Sequence, residues 1–129
     1  MAELYPYLFS NDARKQANYY AEALKGKVIS VQTFADAPQA KEDIKEKIMH
    51  LVLQAAGQKF FIADSITEEV KIGNSMELTL VFPTVEEAHL AFQALSSRGK
   101  VLIPFEKMFW GSMFGRLQDP FGVTWQIST

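Results

Sequence analysis

No cysteine occurs in the 129 residues. Disulfides, thiolate nucleophiles and zinc sites built on sulfur are therefore excluded. The chain also lacks a basic block, and its net charge is −2. That argues against nucleic acid or an anionic membrane as the main partner. No apolar run approaches the roughly 18 residues of a membrane-spanning helix. Met1-Ala2-Glu3-Leu4-Tyr5-Pro6 carries no basic stretch followed by an apolar one, so no signal peptide is expected. Cytoplasm is the expected location. A phosphate loop, a Gly-x-Ser-x-Gly elbow and a His-Glu-x-x-His pair are all missing.

What remains is a composition 48% hydrophobic and 22% charged, which suits one soluble domain, residues 1–129, with a sizeable core. The tail is the most structured stretch to read. Strands are predicted at Phe114–Gln118 and Val123–Ile127, separated by Asp119-Pro120-Phe121-Gly122. Pro cannot continue a ladder and Gly accepts positive φ, so these four residues predict a turn. In the last strand Val123, Trp125 and Ile127 face one way, and Thr124, Gln126 and Ser128 the other.

Upstream, Leu4–Phe9 predicts a strand, with Pro6 placing it at an edge or making a strand start. Ser10-Asn11-Asp12 supplies N-cap candidates for a helix to about Lys25, with Gly26 at C′. Lys27–Phe34 predicts a second strand. Ala35–Lys47, polar and charged, predicts a mobile excursion with a short helical turn. Ile48–Gln54 and Lys59–Ala63 predict a hairpin, and residues 64–75 a connector. The order then restarts. Met76–Phe82 is a strand, and Thr84-Val85-Glu86-Glu87 is a capping box opening a helix to about Arg98. That helix carries the stripe Ala88, Ala91, Phe92 and Leu95. Lys100–Ile103 is a strand and Pro104–Ser112 a loop. Strand–helix–strand–strand–strand thus occurs twice, over about 3–66 and 75–129. The fold class is α+β: each half offers a sheet with a helix on one face, and two such sheets would curve around a cleft.

This pattern resembles the vicinal oxygen chelate superfamily, also called the glyoxalase/bleomycin-resistance/dioxygenase superfamily. Within it the chain looks most like the PhnB-like branch. The likeness rests on Tyr7-Leu8-Phe9 entering a helix that ends in Tyr19-Tyr20, on Ile48-Met49-His50, and on Phe109-Trp110-Gly111…Phe114-Gly115-Arg116…Asp119-Pro120-Phe121-Gly122…Trp125. It covers nearly the whole chain. The resemblance implies paired βαβββ modules and a homodimer. It also implies metal ligands on the first and fourth strands of each module. Those positions fall here on Tyr5, near Phe61 or Ala63, on Glu77 and on Gln126. Only Glu77 is a strong ligand for a divalent metal, so the ligand set is degraded.

The candidate site residues follow from strand parity. Glu77 shares a face with Thr79 and Val81, opposite Leu78, Leu80 and Phe82; as a semi-buried carboxylate it is expected to have a raised pKa and to act as base or ligand. His50 lies opposite Met49, Leu51 and Leu53 and is the second candidate for proton handling or ligation. His89, beside the apolar stripe of its helix, is expected at the surface. Tyr5, Tyr7 and Phe61 could hold a planar ligand or simply fill space, and Gln126 offers hydrogen bonds. Trp110 and Phe114 are expected where a loop reaches over the cleft, with Gly111 and Gly115 giving special φ or close approach. Arg116 is expected to face an anionic substrate or a carboxylate such as Glu77, the structural pair being the favoured reading.

Two functions stand. One is an enzyme of lyase, isomerase or dioxygenase type that transforms a small organic molecule with Glu77 and His50. The other is a metal-free protein that sequesters an aromatic or hydrophobic compound, as bleomycin-resistance relatives do. A methyltransferase, a name attached to some PhnB-like chains, has no Gly-rich cofactor loop to support it.

Overall fold

A computed structural model describes residues 1–129. The chain divides into two units, Met1–Lys71 and Ile72–Thr129. Unit one contains β1 (Tyr7–Ser10), α1 (Ala13–Ala23), β2 (Lys27–Thr33), a 3₁₀ turn (Phe34–Asp36), β3 (Ile48–Ala55) and β4 (Gln58–Asp64). Unit two contains β5 (Leu78–Val81), α2 (Val85–Ser96), β6 (Lys100–Lys107), β7 (Met113–Gln118) and β8 (Thr124–Ser128). The sheets have the same topology, β1-β4-β3-β2 and β5-β8-β7-β6. In each, the first strand runs parallel to the last and the others pair antiparallel. The architecture is α+β, and the strand–helix–strand–strand–strand order occurs twice, as the pattern predicts.

Helix α1 starts where Asp12 accepts a bond from Lys15 N at 3.1 Å. That satisfies one of the four amide groups a helix start leaves unpaired. Ala13, Ala17, Tyr20 and Leu24 are buried, together with Leu51, Leu53, Phe60 and Ile62 from the strands. Buried Gln16 donates to the Tyr20 hydroxyl at 2.8 Å, so neither polar group is stranded in the core. In unit two, Thr84 caps α2 by accepting from Glu87 N at 3.2 Å. The whole predicted stripe Ala88, Ala91, Phe92 and Leu95 is buried, with Leu117, Trp125 and Ile127. Each such Leu or Ile contributes about 1.5–3 kcal/mol by leaving water.

Three expectations need correcting. The helix exit does not use Gly26 at C′: Leu24 is the C-cap, and Lys25 takes the left-handed φ of 54°. Gly26 N then reaches Ala21 O at 2.7 Å, the longer bond of a Schellman exit. Gly26 is small for another reason, since a Cβ there would sit 2.2 Å from Gln54 O. Second, the strand predicted to end at Ile103 continues to Lys107 through Pro104. β6 is an edge strand with register shifts between Val101 and Ile103 and between Ile103 and Glu106. An edge and a bulge are where a residue without an N–H is tolerated. The remaining Met108–Ser112 is a tight hairpin connection closed by Met108 N donating to Ser112 O at 2.9 Å. Third, β1 and β5 are shorter than predicted, so Tyr5 and Glu77 precede their strands rather than lie in them. Pro6 accordingly stands just before an edge strand.

Candidate functional site

The helix-free face of the first sheet is aromatic. Tyr7 pairs in register with Phe61, and Phe61 with Val52. Paired residues share a face, and so does His50, two positions from Val52. The His50 ring lies 4.9 Å from Phe61 and 5.8 Å from Tyr7. Tyr5 brings its ring to 4.8 Å from Phe61, and Phe9 stands 5.1 Å from Tyr7. The Tyr5 hydroxyl donates to Glu3; that bond, with some burial and the carboxylate charge, raises the Tyr5 pKa. Tyr7 is 45% exposed and Phe9 59%. His50 is half-buried, and its imidazole makes no side-chain hydrogen bond within the protein. The predicted group Tyr5, Tyr7, His50 and Phe61 therefore does come together.

The helix-free face of the second sheet is polar at its centre. Arg116 pairs in register with Gln126, and Gln126 with Thr79. Arg116 Nε donates to Glu77 Oε1 at 2.8 Å and Nη2 to Oε2 at 2.5 Å. Gln126 Nε2 donates to the same Oε1 at 3.0 Å. Glu77 thus receives three bonds from two side chains, in the bidentate geometry that guanidinium and carboxylate favour. The expected raised pKa is wrong in sign: the Glu77 carboxyl is lowered to about 2, first by the Arg116 bonds and then by Gln126. Partial burial opposes the shift but is outweighed. The Arg116 pKa rises correspondingly. Of the readings open for Arg116, the structural pair with Glu77 is the one realised.

Two positions along β7 on this same face stands Phe114. Its ring lies 6.2 Å from Trp110, which in turn lies 4.9 Å from Phe109. Trp110 is 56% exposed at the hairpin tip. The flanking glycines divide the two expected roles. Gly111 has φ 99° and open space around it, whereas a Cβ on Gly115 would meet Phe92 at 2.6 Å.

Two carboxylates that sequence reasoning left in connectors are structural hubs. Asp119 is buried and accepts from Phe121 N at 2.8 Å, Val123 N at 3.1 Å and Trp125 Nε1 at 2.9 Å. Asp64 accepts from Ala13 N and Ile48 N, both at 2.7 Å. The signal for Asp119 was its place at the head of the turn, since Asp side chains commonly bond backbone two residues on. His89, as expected, is exposed, with its ring 6.0 Å from Phe105.

The residues present do not fit a divalent metal. The one strong ligand, Glu77, has both oxygens committed to a fixed guanidinium, so a second cation there would face direct repulsion. No three His, Asp or Glu side chains are placed so that together they could hold a metal ion. Nor is any helix long and apolar enough to cross a membrane.

Residues 3–128 match the family model described as 3-demethylubiquinone-9 3-methyltransferase. Among solved structures, protein PA1353 from Pseudomonas aeruginosa is similar with a TM-score of 0.84 and 27% identity, over 98% of this chain and 96% of that one. The PhnB protein of Bacillus cereus is similar at 0.77 and 23% identity, over 97% of each chain. The fosfomycin resistance protein FosX of Listeria monocytogenes shares the fold at 0.70 and 8% identity, over 97% of this chain and 90% of that one.

Proposed function

The chain belongs to the 3-demethylubiquinone-9 3-methyltransferase family, a PhnB-like branch of the vicinal oxygen chelate superfamily, and from that premise we propose that it is a metal-free binding protein for a small organic molecule with an aromatic body. The observation that carries this reading is the Glu77–Arg116 pair. A carboxylate with its pKa lowered to about 2 is a poor proton acceptor at neutral pH, and general bases work best with a pKa near the operating pH. Neither base nor metal ligand is left at Glu77. What both helix-free faces offer instead is aromatic surface with a few polar groups, the usual makeup of a small-molecule site. The family's name denotes a methyltransferase. The two strand-to-helix turns, Ser10-Asn11-Asp12 and Phe82-Pro83-Thr84, contain no glycine, so neither supplies the Gly-rich loop that cradles a nucleotide-derived cofactor.

Metal analysis and a thermal-shift screen test the proposal together. The purified protein should hold no stoichiometric divalent metal after loading and dialysis. It should gain several degrees in Tm with aromatic compounds from a broad panel, because a ligand of the native state stabilises it by mass action. A stoichiometric metal lost in Glu77→Ala would overturn the metal-free reading.

One observation favours catalysis as a second reading. The His50 imidazole is half-buried among Tyr7 and Phe61 with no protein hydrogen bond, so a ligand on that face would meet an imidazole whose ring nitrogens are free to engage it. Turnover lost in His50→Gln with ligand binding retained would establish it; no loss of turnover would remove it.

The chain is also proposed to act as a homodimer. The exposed aromatic side chains Tyr7 and Phe9, with ring centroids 5.1 Å apart, form an apolar surface that a second copy would cover. A monomer mass by light scattering at micromolar concentration would count against it.

A further inference from the structure

We infer that Arg116 is the recognition group for a carboxylate, and that the molecule taken up on the second sheet is a small aryl or arylalkyl carboxylic acid. The inference rests on the small-molecule reading above and adds the ligand's chemical class.

A guanidinium has five N–H donors arranged along two usable edges. Glu77 occupies the edge formed by Nε and Nη2. The other edge, one N–H from Nη1 and one from Nη2, makes no bond to the protein. These two parallel donors match the two oxygens of a second carboxylate. The Arg116 side chain is 36% exposed, so a ligand can reach them. The clamp matters as much as the free edge. Held by Glu77, which is itself held by Gln126, the guanidinium has little side-chain freedom left to lose on binding, which lowers the entropic cost of recognition.

The neighbours set the rest of the ligand. Phe114 precedes Arg116 on the same face at two-residue spacing, about 6.7 Å along the strand, and Trp110 packs edge-on against it. Ile103 pairs with Arg116 from the adjoining strand. An apolar ring beside a carboxylate fits a cation flanked by two aromatic rings and an isoleucine. Two acidic groups bear on the site. Glu77 neutralises much of the Arg116 charge and so weakens anion binding. Glu106, opposite Phe114 on β6, is exposed and makes no bond to Arg116. The balance selects a monoanion bound through geometry, rather than a highly charged ligand bound through net field.

Calorimetric titration with phenylacetate and its neutral isostere phenylacetamide tests this. The wild-type protein should bind phenylacetate about tenfold or more tightly than the amide. Arg116→Gln should weaken phenylacetate by a similar factor and leave the amide unchanged. Arg116→Lys, which keeps the charge and loses the fork, should not restore it. Glu77→Gln, which keeps an acceptor oxygen to hold Arg116 while removing the competing charge, should strengthen phenylacetate binding several-fold; a purely structural pair would show no such gain. Equal affinity for acid and amide, or full phenylacetate binding by Arg116→Gln, overturns the inference and leaves the small-molecule reading standing. Failure of both probes to bind overturns the inference as well, and the broad compound panel then decides whether the wider reading falls with it.

Discussion

Gly26 and Gly99 occupy the same place in their respective units, each pressed against a backbone carbonyl near the end of a central strand. A Cβ would stand 2.2 Å from Gln54 O in one case and 2.0 Å from Gln118 O in the other. Both barriers are backbone atoms held in a ladder, so neither can yield as a flexible side chain would. Gly26→Ala and Gly99→Ala should each destabilise the protein by about 1–3 kcal/mol. Gly73→Ala, with nothing within 4 Å, should stay within about 0.5 kcal/mol. Urea denaturation checks the contrast. Equal effects at all three positions would refute the close-approach explanation.

Glu77 carries the pH prediction. Its pKa is lowered from 4.5 to about 2 in the folded chain. A lowered acid pKa means the folded state holds the ionised form more strongly than the unfolded state does. The stabilisation is therefore full above 4.5 and is lost as pH falls toward and below about 2. Carboxyl-carbon NMR should show Glu77 titrating near 2, and Arg116→Gln should return it toward 4.5. A wild-type midpoint near 4.5 would mean the pair does not persist in solution.

Asp119 gathers the closing turn. Its carboxylate serves two backbone amides and the buried indole of Trp125. Asp119→Ala strands those donors and should cost about 2–4 kcal/mol. Asn at this position should recover only part, because an amide group presents one acceptor where two are used. Thermal unfolding of the two variants orders them; a neutral Asp119→Ala would show that water replaces the carboxylate freely.

The hairpin between β3 and β4 turns on Ala56 and Gly57, with φ of 53° and 74°. Two positive φ values in a two-residue loop favour Asn-Gly, and Ala at the first pays a steric cost. Ala56→Asn should stabilise the chain by about 0.5–1 kcal/mol. Destabilisation by Asn, measured by chemical denaturation, would show that the loop relies on something other than its dihedrals.

Much of the fold was legible because alternation and helical spacing are local. Trp125 and Ile127 are buried while Gln126 is not, and all four stripe residues of α2 face the core, as their spacing implied. Strand parity also gathered Tyr7, His50 and Phe61 onto one face. The sign of the Glu77 shift was not legible. The sequence allowed Arg116 to face Glu77, but whether the guanidinium reaches both oxygens depends on register across three strands, between residues 39 apart in sequence. Pro104 misled for a related reason: it reads as a strand end, and only the edge position and bulges of β6 make it harmless. Asp119 looked like turn chemistry, and its bond to Trp125 needed the indole's place in the core.

The pairing of first strand with last has a kinetic meaning. Within each unit the sheet cannot be completed until the chain has travelled through a helix and two further strands, from Tyr7 to Asp64 and from Leu78 to Ser128. Such contacts are far apart in sequence and form slowly, since loop closure precedes any reward. Every strand of the first unit nevertheless finds its neighbours within that unit. On the ribosome, its sheet has all its partners once Asp64 has emerged, before the strands of the second unit follow it out.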